Sequence, residues 1–173
     1  MSDQCEQKSI YQFTVKQING KEVSLSEFKD KVLLIVNTAS ECGFTPQLKD
    51  LENLRKEFAG SGFEVLAFPS NDFGRQEPLP EKAISKFCKI NFGINYPLFE
   101  KVHVRGKHTH PLFKFLSDRR RNGKLNARPR WNFHKYLVNR HGEVETYFYP
   151  FTRPNATRVR KRIQLLLQDK STA

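Results

Sequence analysis

The sequence predicts an α/β protein with a mixed central sheet flanked by helices and opened by an N-terminal β-hairpin. Three observations predict it. "KVLLIVNT" (31–38) carries an unbroken apolar run of strand length, which suits a strand covered on both faces. A helical pattern follows, then a second strand pattern, "FEVLAFP" (63–69), and strand–helix–strand order calls for a parallel pair. Further on, "HKYLVN" and "VETYFYP" flank the turn "RHGE" and read as an antiparallel hairpin, so the sheet is mixed.

Each element has its own signal. "FTVKQINGKEVSL" alternates apolar and polar residues around Asn19-Gly20, a pair that predicts a type I′ turn with two positive φ angles. The first helix starts near Pro46, with Thr45 as N-cap and the proline at the first helical position. Leu48, Leu51, Leu54 and Phe58 are its apolar stripe. "LPEKAISKFCKINFG" is a second helix between Pro80 and Gly93, with Ile84, Phe87 and Cys88 on one face. "YPLFEKVHV" reads as loop running into a short strand, and "HPLFKFLSD" as a short helix. "NATRVRKRIQLLLQ" is the last helix, with Asn155 as cap and Val159, Ile163, Leu166 and Leu167 facing inward. No repeat or linker divides the 173 residues, so one domain is expected, with 1–8 and 169–173 as flexible ends.

At 38% hydrophobic and 28% charged residues the composition is that of a globular chain. The longest apolar run, Val32–Val36, is too short to cross a bilayer. "MSDQCEQKSIYQF" lacks a basic segment followed by an apolar one, so no secretory signal is read and a cytoplasmic location is expected. The net charge is +12, and "RRRNGKLNARPR" (119–130) holds six Lys/Arg with no acid, while "RVRKR" (158–162) holds four. A solvated basic face is the plain reading, with anionic membranes or acidic substrates as the functional ones. No aromatic residue interleaves the first run, so no nucleic-acid partner is expected. The three cysteines, Cys5, Cys42 and Cys88, are odd in number and widely spaced, which fits neither a disulfide scaffold nor a zinc motif. His108 and His110 lack companions at metal spacing, so no metal or other cofactor is expected; Cys5 is read as incidental.

Cys42 is the residue that raises a chemical question. It stands just past the carboxyl end of a buried strand, where open α/β sheets bind ligands, and a few residues before a helix N-terminus. Free backbone N–H groups and the positive end of the helix dipole would favour a thiolate there. Ser40, Glu41 and Gly43 around it suit a turn; an inert, buried cysteine is the alternative.

"NTASECGFTPQ" (37–47), "FPSNDFGRQEP" (68–78) and "WNFHKYLVNRHGEV" (131–144) together resemble the glutathione peroxidase family in its cysteine rather than selenocysteine form. The resemblance runs from Ile10 to Leu167, in the family's order and spacing. It implies a thioredoxin-like fold and reduction of hydrogen peroxide and organic or lipid hydroperoxides. The peroxidatic position falls on Cys42, and its partners fall on Gln76, Trp131 and Asn132. Those three are neutral donors, able to hold developing charge without quenching the nucleophile. Taken singly they read as a loop residue, an aromatic core anchor and a hydrogen bonder at a strand entrance.

Attack on peroxide leaves a sulfenic acid that must be reduced. The family often reads Phe-Pro-Cys-Asn-Gln-Phe where this chain has Ser70 and Asp72, and Ser70 cannot form a disulfide. Cys88 falls near the resolving cysteine of thioredoxin-dependent members; plain packing is its other reading. A Cys42–Cys88 disulfide needs Cα atoms within roughly 7 Å, so the helix must loosen, and Asn91 and Gly93 are poor helix formers. The resemblance thus implies thioredoxin as reductant through that disulfide, or glutathione directly. The interval between "HPLFKFL" and "WNF" is short, as in the compact, monomeric members. A redox sensor or adaptor that relays Cys42 oxidation to a protein partner is the alternative function. A general disulfide oxidoreductase is disfavoured, because no C-x-x-C opens the helix.

Overall fold

A computed structural model describes residues 8–169. The expectations for the chain ends and for Cys5 lie at or beyond those limits. The strands are β1 (Thr14–Lys16), β2 (Glu22–Ser24), β3 (Val32–Thr38), β4 (Phe63–Pro69), β5 (Lys135–Val138) and β6 (Val144–Phe148). The helices are α1 (Gln47–Phe58), α2 (Glu81–Phe92), α3 (Pro111–Ser117), α4 (Arg119–Asn122) and α5 (Thr157–Gln168). β1 and β2 form a separate antiparallel hairpin, and the other strands make one sheet in the order β4-β3-β5-β6. β3 runs parallel to β4 and antiparallel to β5, which continues antiparallel into β6. This is the mixed, thioredoxin-like sheet.

All seven residues of β3 are buried, and strand pleating sends them alternately to two cores. Val32, Leu34 and Val36 pack with the stripes of α1, α2 and α5. Leu33 and Ile35 pack on the other face with Val15 of the hairpin and Leu112, Phe113 and Leu116 of α3. The segment 97–100 ties the hairpin to the β4 edge without becoming a strand. Phe99 N–H donates to Ala67 O and Ala67 N–H to Pro97 O, while Ile18 N–H donates to Leu98 O and Glu100 N–H to Lys16 O.

Three local expectations are corrected. Only Gly20 of the Asn19-Gly20 pair has positive φ (+89°), so the turn is not type I′. Gly20 N–H closes onto Gln17 O and Gln17 N–H bonds Lys21 O, a three-residue loop in which the glycine takes the left-handed position. Thr45 does not cap α1. Its hydroxyl is engaged in the preceding loop, and Pro46 occupies the cap position in helical conformation with no side-chain bond. Asn155 does not cap α5: it lies inside a turn closed by Ala156 N–H on Arg153 O, and Ala156 takes the cap position. The head of the basic run forms the short helix α4, where the Asp118 carboxylate accepts from Arg120 N–H.

Truncating Leu34, fully buried at the centre of β3, is expected to destabilise by about 2–5 kcal/mol. In urea titrations Leu34→Ala should lower the unfolding midpoint with an unchanged m-value.

Candidate functional site

The sheet presents two strand ends side by side, at Thr38 of β3 and Pro69 of β4, and the chain that leaves each turns toward the entry into β5. From β3 the chain makes a tight loop around Cys42. Thr45 Oγ1 accepts from Cys42 N–H (2.9 Å) and donates to Ala39 O (2.9 Å), and Thr45 N–H donates to Cys42 O (3.0 Å). This hydroxyl clasps the loop that carries the thiol. Cys42 is half-buried, and Phe44 N–H donates to its Sγ at 3.3 Å. That amide is the hydrogen-bond donor the loop gives to the sulfur.

From β4 the chain turns through two successive left-handed residues, Gly74 (φ +63°) and Arg75 (φ +54°). A non-glycine residue there is uncommon, so the turn is held by its surroundings. It brings Gln76 against Asn132, whose Nδ2 donates to Gln76 Oε1 at 2.9 Å. Gln76 O also accepts from Glu41 N–H at 2.9 Å, which binds this loop to the residue before Cys42. Asp72, where the family often has glutamine, accepts from Val104 N–H at 2.7 Å and lies 2.8 Å from His103 Nδ1. It thereby fastens the outer side of the same loop.

The third contribution is Trp131–Asn132–Phe133, just ahead of β5. Asn37 of β3 holds it: Nδ2 donates to Trp131 O (3.0 Å), the main-chain O accepts from Phe133 N–H (2.6 Å), and the main-chain N–H reaches His134 O (3.4 Å). Phe133 is fully buried at φ +67°, an outlier for so bulky a residue. The Trp131 ring, 36% exposed, lies 5.5 Å from the Phe73 ring, centroid to centroid, and covers Gly74. A Cβ on Gly74 would stand 3.1 Å from Trp131 Cη2.

Gln76, Trp131 and Asn132 therefore share one cluster, and Cys42 adjoins it through the Glu41–Gln76 bond. The cluster does not supply the hydrogen bond to sulfur, which comes from Phe44. Cys88 is elsewhere. On the inner face of α2 and 4% exposed, it packs in the core that also receives Cys42 at its edge. Both thiols are free. Burial, with a smaller contribution from the Glu77 charge, pushes the Cys88 thiol up to about 12.

Other functional groups escaped the sequence reading. Glu77 is 1% exposed, and its Oε2 accepts from Ser40 Oγ at 2.9 Å. Burial raises its carboxyl to about 7 against the opposing pull of the Ser40 hydroxyl and the Lys101 charge. Lys135, wholly buried, donates from Nζ to Phe133 O (2.6 Å) and Pro150 O (3.2 Å). Gln47 Nε2 donates to the same Pro150 O at 2.8 Å, so the start of α1 and the start of β5 meet at one carbonyl. Burial pulls the Lys135 amine down to about 7. A lysine inside "HKYLV" was the one visible signal for it. The basic run 119–130 lines an open cleft of about 1110 Å³ whose wall includes Phe73 and Arg130, beside the Trp131 ring. Among the described residues no group of three or more His, Cys, Asp or Glu is placed to hold a metal ion.

Gly74→Ala combines left-handed strain with contact on the indole, and about 1–2 kcal/mol of destabilisation is expected. Because Trp131 is the single tryptophan, the same variant should shift the emission maximum of the native protein. Lys135 titrates near 7 when folded against an ordinary 10.5. Between those values the unfolded chain binds a proton that the native protein does not, so stability rises with pH across that window. The cost of charging the amine is fully present below pH 7. Urea midpoints measured from pH 7 to 10 should climb more steeply for the wild type than for Lys135→Met.

The model of the family described as glutathione peroxidase matches residues 10–117. A "Glutathione peroxidase homolog BsaA" of Halalkalibacterium halodurans is 47% identical over 146 residues, 84% of this chain and 92% of that one. A "Hydroperoxy fatty acid reductase gpx1" of Synechocystis sp. is 45% identical over 152 residues, 85% of this chain and 90% of its own. Among solved structures, the crystal structure of Trgpx in apo form superposes with a TM-score of 0.74 at 33% identity. That match covers 92% of this chain and 95% of the other.

Proposed function

The chain belongs to the glutathione peroxidase family, and from that premise we propose how its own residues reduce a hydroperoxide. The enzyme is a thiol peroxidase, an oxidoreductase that uses a cysteine to reduce hydroperoxides. One observation carries the assignment of the site. The Cys42 loop, the Gln76 turn and the Trp131–Asn132 turn are fastened together at the ends of β3 and β4.

In this reading the Cys42 sulfur, which accepts from Phe44 N–H, attacks the terminal oxygen of the peroxide, the thiolate being the form that reacts. The O–O bond breaks, sulfur is oxidised by two electrons to a sulfenic acid, and the leaving oxygen takes a proton and departs as alcohol or water. With its Oε1 occupied by Asn132, Gln76 keeps its Nε2 hydrogens free for the oxygen on which charge develops. The half-exposed Trp131 supplies an indole N–H at the same rim. Asn132 is itself fully buried and orients Gln76.

Cys88 is proposed as the resolving thiol. Its sulfur attacks Cys42 sulfur, hydroxide leaves with the Cys88 proton as water, and a disulfide remains for thioredoxin to reduce; glutathione is the competing donor. Ile84 and Cys88 are the fully buried residues of α2, Phe87 and Phe92 pack half-buried beside them and Ile90 is 70% exposed, so releasing the thiol requires only this outer helix to loosen. Among the described residues no helix is long and apolar enough to cross a membrane. A cytoplasmic monomer completes the proposal, checked by fractionation and sedimentation.

The deciding experiment measures peroxide consumption with thioredoxin or glutathione supplied separately. Cys42→Ser is expected to abolish turnover with either donor. Cys88→Ser should keep one round of sulfenic acid formation but lose turnover with thioredoxin; undiminished turnover with thioredoxin would remove Cys88 from the mechanism. Gln76→Ala and Trp131→Phe should each slow the oxidation of Cys42 by about 10²–10³-fold.

A further inference from the structure

Glu77 takes no part in the chemistry just described, yet its carboxyl is buried directly behind the peroxidatic loop. The Ser40–Glu77 side-chain bond and the Glu41–Gln76 backbone bond are consecutive rungs between the two loops that form the site. On its own side Glu77 is fixed by its main chain: its N–H donates to Asn71 Oδ1 (2.9 Å), and its O accepts from Lys101 Nζ (3.3 Å). Lys101 Nζ thus bonds the backbone, and among the described residues no ion pair closes on the carboxylate itself, which feels the Lys101 charge only at a distance. The second carboxyl oxygen, Oε1, has no hydrogen-bond partner among the described residues. A buried carboxyl whose donors all come from one residue, the Ser40 hydroxyl and more weakly the Ser40 backbone, is expensive to keep charged and has no packing advantage over an amide of the same shape.

We propose that Glu77 is a positioning residue for Cys42, whose charge tightens the Ser40 rung and so sets how firmly the thiol-bearing loop is held against Gln76. A hydrogen bond from a hydroxyl to a carboxylate is roughly twice as strong as one to a neutral acceptor. Ionised Glu77 pulls Ser40, two residues before the sulfur, toward the Gln76 loop; the protonated acid can itself donate and releases that pull. The charges facing it are Lys101, which favours ionisation, and Glu41 on the Cys42 loop, which opposes it. On the α2 side stands the Cys88 thiol, whose own ionisation the carboxylate disfavours. Burial outweighs these and puts the transition near neutral pH, at about 7. Peroxide reduction by this enzyme then depends on pH through a residue that never meets the substrate.

The inference rests on the peroxidase reading, and the test separates the two. We expect kcat/KM for hydrogen peroxide in the wild type to rise across pH 6–8 with a component centred near 7. Glu77→Gln keeps an acceptor for Ser40 but no charge, and should lose that component, ending about three-fold below the wild type at pH 8. Ser40→Ala should lose the same component, and the double variant should be no worse than either single one. In parallel, the rate of Cys42 alkylation by iodoacetamide, in a Cys88→Ser background, should show the Glu77-dependent inflection in the absence of any peroxide. A pH profile for Glu77→Gln parallel to that of the wild type, whether lowered or not, overturns the proposal. A wild type inert toward peroxide overturns the peroxidase reading instead, and the alkylation profiles then decide the role of Glu77 alone.

Discussion

Asn37 spends nearly all of its polar groups on one short stretch of chain, residues 131–134. It belongs to β3, whose apolar neighbours on both faces fix its position to within the packing tolerance of the core. The site therefore inherits its geometry from a strand buried along its whole length. The Trp131–Asn132 turn hangs from Asn37, the Cys42 loop begins two residues beyond it, and the Gln76 loop leaves the parallel neighbour β4. No loop in this arrangement has to find its place alone.

Strain is concentrated where these loops meet. Phe133, Arg75 and Gly74 all lie in the left-handed region, and two of the three are not glycine. Such conformations persist only where the surroundings over-determine them. Here the surroundings are identifiable: Phe133 buries its ring completely and gives its carbonyl to Lys135, while the Gly74 backbone is overlaid by the Trp131 indole. The buried Lys135 amine is costly in isolation, but Phe133 and Pro150 present carbonyls to it. It joins the strained turn to the residue that also receives Gln47 at the head of α1.

The strands, the parallel pair and the later antiparallel hairpin were legible because strand alternation and helical stripes are properties of the chain read alone. Val32–Val36 announced a doubly covered strand, and the stripes of α1 and α5 fell where expected. What failed was local chemistry with two possible partners. Thr45 has the right residue type for a helix cap, but its hydroxyl is better used between Ala39 and Cys42, a choice that depends on the loop closing. Asn19-Gly20 suits two hairpin turns, and the three-residue loop won. Cys42, Gln76, Trp131 and Asn132 could be singled out by three motifs agreeing, yet the hydrogen bond on sulfur comes from Phe44, which no motif marked. Glu77 and Asn37 were invisible as buried positions, since burial of a polar side chain is decided by tertiary neighbours.

The attachment of α2 carries a consequence for the protein as a whole. Ile84 and Cys88 reach the interior from that helix, with Phe87 and Phe92 packed half-buried beside them. If Cys88 resolves Cys42 as proposed, drawing it outward removes one of the two fully buried side chains of the helix, and the oxidised chain would then show a protease-sensitive flank while the sheet behind it stands. On that proposal, redox state would be written into the outline of the molecule.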